Sequence, residues 1–146
     1  MSEGTRTLEE LLAQARATIG RLSPAEALAA VEDGGLIVDI RSTDARRRDG
    51  IVPGSIHVPR TVLEWRLEPD GAWCNPHIGG VERRLVVLCD HGYSSIFAAE
   101  ILVELGYERA SDVVGGFAAW VAVGLPVARA PADRAEAELP GMGGPD

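Results

Sequence analysis

The chain of 146 residues has no lysine: all 14 of its basic residues are arginine. The missing lysine and the abundant alanine read as high-GC coding bias before they read as function. Against 22 acids the formal net charge is −8. Such a chain is a poor nucleic-acid binder and has no pull toward an anionic membrane surface. Cysteine is nearly absent as well. Two thiols, Cys74 and Cys89, exclude a disulfide framework, and with no close pair they form neither a zinc ribbon nor a CxxC redox motif. No metal or organic cofactor is expected. Long apolar runs are missing too: the longest, such as 85–89, cover about five residues, against roughly 20 needed to span a bilayer. The start, Met1-Ser2-Glu3-Gly4-Thr5-Arg6, is polar and lacks the apolar stretch of a signal peptide. A soluble, cytoplasmic protein is therefore expected. What remains is 46% hydrophobic and 25% charged, enough to build one compact core and too apolar for a disordered chain.

The chain is well punctuated. Thr7-Leu8-Glu9-Glu10 has the form of a capping box, and Leu8, Leu11, Leu12, Ala15 and Ile19 recur at helical spacing after it. Ser23-Pro24-Ala25-Glu26 repeats the signature with proline at the first helical position, and Asp33-Gly34-Gly35 ends that helix. Leu36-Ile37-Val38-Asp39-Ile40 and Leu85-Val86-Val87-Leu88-Cys89 are near-continuous apolar runs, as in strands covered on both faces; Asp112-Val113-Val114 is a shorter one. Each precedes a helix-compatible segment, at 43–48, 95–105 and 117–123. Strands alternating with helices predict an α/β domain with a mainly parallel sheet, whose ligands gather outside the carboxyl ends of the strands. The stretch 130–146, rich in proline, glycine and charge, reads as a loosely held tail.

Cys89 stands at one of those strand ends and opens the loop Cys89-Asp90-His91-Gly92-Tyr93-Ser94-Ser95. A lone cysteine closing a buried strand is most often a small apolar residue. The residues after it change that reading. Gly92 allows the tight curvature that turns successive N–H groups inward as an anion nest, and Ser94 and Ser95 are fit to cap the next helix, whose positive end then faces the loop. A thiol in that setting has a lowered pKa without any cationic side chain. His91 is too close in sequence to act as the base of a cysteine–histidine dyad, and no arginine lies between Cys89 and Glu100 to fork around a phosphate.

These residues resemble a single-domain rhodanese over 22–127. Asp39-Ile40-Arg41 is similar to that family's D-x-R after the second strand. Gly50-Ile51-Val52-Pro53-Gly54-Ser55-Ile56-His57-Val58-Pro59 is similar to its turn-and-strand signature, and Gly115-Gly116-Phe117-Ala118-Ala119-Trp120 with Gly124-Leu125-Pro126-Val127 to its C-terminal G-G-x-x-x-W…G-x-P-V. The resemblance implies a rhodanese-like α/β fold: a mostly parallel five-stranded sheet flanked by helices, with an extra N-terminal helix. It implies 1–20 as that helical extension, 21–128 as the domain and 129–146 as a flexible tail. It also implies sulfurtransferase chemistry, in which Cys89 takes sulfane sulfur from thiosulfate or a persulfide and passes it to a thiol, cyanide or a protein acceptor. Asp90, His91, Gly92, Tyr93, Ser94 and Ser95 would form the active-site loop. Many family members carry arginine where this chain has Ser94, so Arg41 and Arg60 are candidates to contact the anion, with Arg41 equally fit to be a structural partner of Asp39. The alternative is a non-catalytic rhodanese-like module that docks a partner protein.

Several other residues read as structure. His57 is expected to be a structural or partly exposed histidine, Trp120 to pack in the core, and Arg46-Arg47-Arg48 to form the solvated face of a short helix. The segment 61–80, with Trp65, Trp73 and Cys74, breaks every period and could border the site; Cys74 reads as a bystander thiol.

Overall fold

The computed structural model describes residues 4–131 and 139–146. Helix α1 (Leu8–Thr18) begins at the capping box: the Thr7 hydroxyl accepts from the Glu10 N–H while the Glu10 carboxylate accepts from the Thr7 N–H. Strand β1 (Gly20–Leu22) follows, then α2 (Pro24–Glu32), capped reciprocally by Ser23 and Glu26. The order continues with β2 (Leu36–Asp39), α3 (Thr43–Asp49), β3 (Ile56–His57), a 3-10 turn at Arg60–Val62, α4 (Leu63–Leu67), β4 (Leu85–Leu88), α5 (Ser94–Glu104), β5 (Ser111–Val113) and α6 (Gly116–Ala122).

The five strands lie in the order β1-β5-β4-β2-β3, and every pairing is parallel. β4 is central, where a crossover direction changes, so its carboxyl end is the natural ligand edge. Alternation along β4 divides the core in two. Leu85 and Val87 pack with Leu12, Ala15, Ile96 and Leu102 on the side of α1 and α5; Val86 and Leu88 pack with Ala27, Phe117 and Trp120 on the side of α2 and α6. Cys89 continues the odd register and belongs to the first core. Its thiol therefore faces α5. Trp120 is fully buried as expected, with its indole N–H donating to Pro126 O at 2.8 Å.

Three expectations need correction. Arg46 is not part of a solvated face: it is buried, with Nε 3.2 Å from Asp39 and Nη2 3.0 Å from Asp146. A charge that enters the interior needs such partners. Nor is the end of the chain loose over 139–146. Gly54 N–H donates to Asp146 O, Asp146 N–H to Ser55 O, and the Asn75 side-chain amide to Gly141 O and Gly143 O. The rest of the expected tail, 132–138, lies outside the described residues. Third, 61–80 is not wholly irregular: it opens with the 3-10 turn and α4, and its buried Asn75 is the post on which the end of the chain is fastened.

Candidate active site

Cys89 directly follows β4, and the loop it opens runs to Tyr93, the residue that precedes α5. The residue is 5% exposed, and its Sγ accepts the Gly92 N–H at 3.1 Å. Burial alone would push the thiol up. Hydrogen bonds from the Ser95 and Ser94 side chains and from the Ser95 and Gly92 N–H groups outweigh it, and the net direction is below the ordinary thiol value.

The N–H groups can turn inward because the loop's carbonyls are held from outside. Phe117 N–H donates to Cys89 O at 2.8 Å and Ala118 N–H to Asp90 O at 3.1 Å, so the first turn of α6 grips the loop from behind. The Gly115-Gly116 pair makes that approach possible. A Cβ on Gly116 (φ +62°) would lie 2.5 Å from Cys89 O, and one on Gly92 (φ +82°) would lie 2.6 Å from Gly115 N. The two backbones touch where side chains would stand.

The remaining loop residues form a rim. His91 and Tyr93 are exposed, Tyr93 at 69%, and Asp90 is half-buried. Asp90 and His91 also border a cavity of about 560 Å³, with Arg48, Asp49, Phe117, Ala118 and Val121 as its other walls. Ser94 and Ser95 are not caps of α5, as the sequence suggested. They are its first two helical residues, and Tyr93 precedes them without a side-chain cap. Both side chains are among the groups that pull the Cys89 thiol down. Ser95 is fully buried and its Oγ also donates to Asp112 Oδ2 at 2.7 Å.

The arginines proposed as anion contacts are engaged elsewhere. Arg41 is buried, its guanidinium clasping Asp39, donating to Gly50 O at 2.8 Å and lying 3.9 Å over the Phe117 ring. This is the structural role the sequence left open beside the anion-binding one. Arg60 pairs with Glu64 at 2.8 Å. His57 is half-buried, and its Nε2–H donates to Arg41 O at 2.7 Å, so it serves the same structural cluster. Cys74 is a second free thiol in a different setting: burial, then Asp70 and Glu68, push it up.

One cation was missed. Arg21, on β1, donates from Nε and Nη2 to both oxygens of Asp112 at 2.9 and 3.1 Å, and from Nη2 to Gly92 O at 3.1 Å. The available signal was Asp112 itself. A carboxylate inside a strand buried on both faces requires a partner.

Known proteins resemble this chain. The Rhodanese-like domain model matches residues 23–123. The chain is 34% identical over 101 residues to the thiosulfate sulfurtransferase GlpE of Pseudomonas syringae pv. syringae, covering 68% of this chain and 85% of that protein. It is 32% identical over 111 residues to the enzyme of the same name from Actinobacillus pleuropneumoniae, covering 75% and 94%. Among solved structures, a protein of unknown function from Rhodopseudomonas palustris, described as a possible tyrosine phosphatase, superposes with a TM-score of 0.77 at 30% identity, covering 88% of this chain and 98% of that one. With its motifs, its sheet order and these relatives in agreement, the chain belongs to the rhodanese-like domain family.

Proposed function

We propose that the protein is a rhodanese-type sulfurtransferase that carries sulfane sulfur on Cys89. The observation that carries this reading is the Cys89 sulfur itself, sunk at the end of a central strand, accepting the Gly92 N–H and drawn down by the serines that open α5. Such a site suits a group that is anionic both before and after reaction. In the first step the Cys89 thiolate attacks the outer sulfur of thiosulfate; the S–S bond of the donor breaks and sulfite leaves with its electron pair. In the second step a thiolate or cyanide attacks the outer sulfur of the Cys89 persulfide, and Cys89 departs again as thiolate. A persulfide donor would serve in place of thiosulfate, and a protein thiol in place of a small acceptor. Asp90, His91 and Tyr93 are the side chains an acceptor meets first. The reading extends to a cytoplasmic site of action, where a reducing medium keeps Cys89 as a thiol.

The relative described as a possible phosphatase raises a second chemistry, phosphoryl transfer. The loop from Cys89 to Ser95 holds no arginine to fork around three phosphate oxygens, and Ser94 and Ser95 stand where such a side chain would be needed. Steady-state turnover separates the readings. Thiocyanate release from thiosulfate and cyanide, abolished by Cys89→Ser, is the expected outcome, with no hydrolysis of an aryl phosphate. Phosphatase turnover without sulfur transfer would overturn the assignment, and absence of any turnover with several sulfur donors would favour a docking module.

A further inference from the structure

The Ser95 hydroxyl has one hydrogen and two neighbours that want it. Asp112 Oδ2 lies 2.7 Å from Ser95 Oγ, while Ser95 is buried at the start of α5, the helix that Cys89 faces, and its side chain is among the groups that pull the Cys89 thiol down. Asp112 is completely buried, and both of its oxygens accept from Arg21, so in its bond to Ser95 the hydroxyl is the donor. While the sulfur is a neutral thiol, the carboxylate takes the hydroxyl hydrogen. When charge develops on Sγ, the hydroxyl can rotate toward it.

We propose that Arg21, Asp112 and Ser95 form a hydrogen-bonded line in which the Ser95 hydroxyl is handed between Asp112 and Cys89 according to the charge on the sulfur. Ser95 acts on the reacting atom; Asp112 and Arg21 are positioning residues that act through it. The inference rests on the sulfurtransferase reading and extends it. Sγ is anionic as nucleophile in the first step and as leaving group in the second, and carries less charge in between, when the outer sulfur holds it. A hydroxyl that returns to Asp112 at that stage stabilises Sγ at both transition states without locking the persulfide.

Arg21 has a second hold on the same loop. It donates to Gly92 O, and all peptide bonds of the described residues are trans. In a planar trans peptide the N–H opposes the carbonyl, so drawing Gly92 O outward turns the Tyr93 N–H the other way, into the loop. An edge-strand arginine thus supplies a positive charge beside a loop that has serine at 94. The charged or titratable groups around the line are Arg21 from β1, Asp112 from β5, Asp90 and His91 in the loop, and beyond β2 the Asp39–Arg41–Arg46 cluster with His57 of β3.

The test is the pH profile of Cys89 alkylation by iodoacetamide, read on the Cys89 peptide by mass spectrometry in full-length chains. Asp112→Asn frees the hydroxyl and is expected to raise the thiolate fraction about three- to tenfold at a fixed pH on the acid side. Ser95→Ala and Arg21→Gln are expected to lower it, and Ser95→Thr, which keeps the hydroxyl, to preserve the parent profile. The Asp112→Asn effect should largely vanish when combined with Ser95→Ala. An effect of equal size with and without Ser95→Ala makes Asp112 a bare charge and overturns the line. So does an Arg21→Gln profile identical to the parent, a test that holds even if the buried Asp112 variant does not fold. Alkylation needs no sulfur donor, so a chain that titrates as expected yet forms no persulfide supports this inference and counts against the sulfurtransferase reading instead.

Discussion

At Cys89 burial and hydrogen bonding pull the same thiol in opposite directions, and the donors win. Its pKa is drawn below the ordinary thiol value, so the thiolate is populated at lower pH than for a free cysteine. The sign follows directly: the rate of alkylation, and of sulfur uptake, should climb through that lowered pKa and level off above it. Cys74, pushed up by burial and two acids, should climb only at higher pH. Comparing the two cysteine peptides in one pH series checks both directions at once. Gly116 shows how little room the arrangement leaves. A Cβ there meets Cys89 O at 2.5 Å, and a left-handed φ of +62° adds strain. Gly116→Ala should therefore cost about 1–3 kcal/mol, the usual penalty for overpacking, and reduce kcat/KM at least about tenfold by displacing the loop donors. Near-parent turnover in that variant would show that the grip of α6 on the loop is dispensable.

The elements differ in how far they could be read in advance. Both capping boxes were legible, because Thr7 with Glu10 and Ser23 with Glu26 are local and chemically specific. The apolar runs that became β2 and β4 were equally plain, since strands covered on both faces leave no polar period to misread. The loop after β4 was legible by residue type but not in its geometry: Ser94 and Ser95 looked like caps and proved to be the first residues of α5. What sequence could not show was pairing between distant strands. β1 is three residues long, and Arg21 has meaning only once β1 lies against β5 with Arg21 opposite Asp112. Arg46 is a similar case, an arginine in a run of three whose burial depends on Asp39 and on the far end of the chain. Asp39 sets the prediction at this scale. It accepts from the Arg41 backbone and side chain and from Arg46, all in the interior behind β2. Asp39→Ala leaves two buried guanidinium groups short of a counter-charge and should cost about 3–5 kcal/mol in urea unfolding. A loss under about 1 kcal/mol would mean the cluster does not carry the stability assigned to it.

Over the whole molecule, the buried Asp39 cluster also ties down residues 139–146. Asp146 pairs with Arg46, its backbone brackets Gly54 and Ser55, and Asn75 and Arg66 hold the carbonyls of residues 140, 141 and 143. A chain ending at residue 138 should fold with the same secondary structure but unfold at lower urea, losing about 1–3 kcal/mol for the unsatisfied buried donors it leaves. An unchanged midpoint would show that these residues rest on the domain without stabilising it. The net charge of −8 gives the active site its proper scale. On the proposed reading an anionic sulfur donor would approach against the field of the whole chain and be received by loop dipoles, with Arg21 donating to the loop at Gly92 O. The central claim is that Cys89 carries the sulfur, and an intact-mass spectrum of the protein before and after thiosulfate tests it most directly. The account predicts one added sulfur atom, located on the Cys89 peptide, released by a thiol or cyanide, and absent from Cys89→Ser. Sulfur retained in that variant, or found on Cys74, would contradict it.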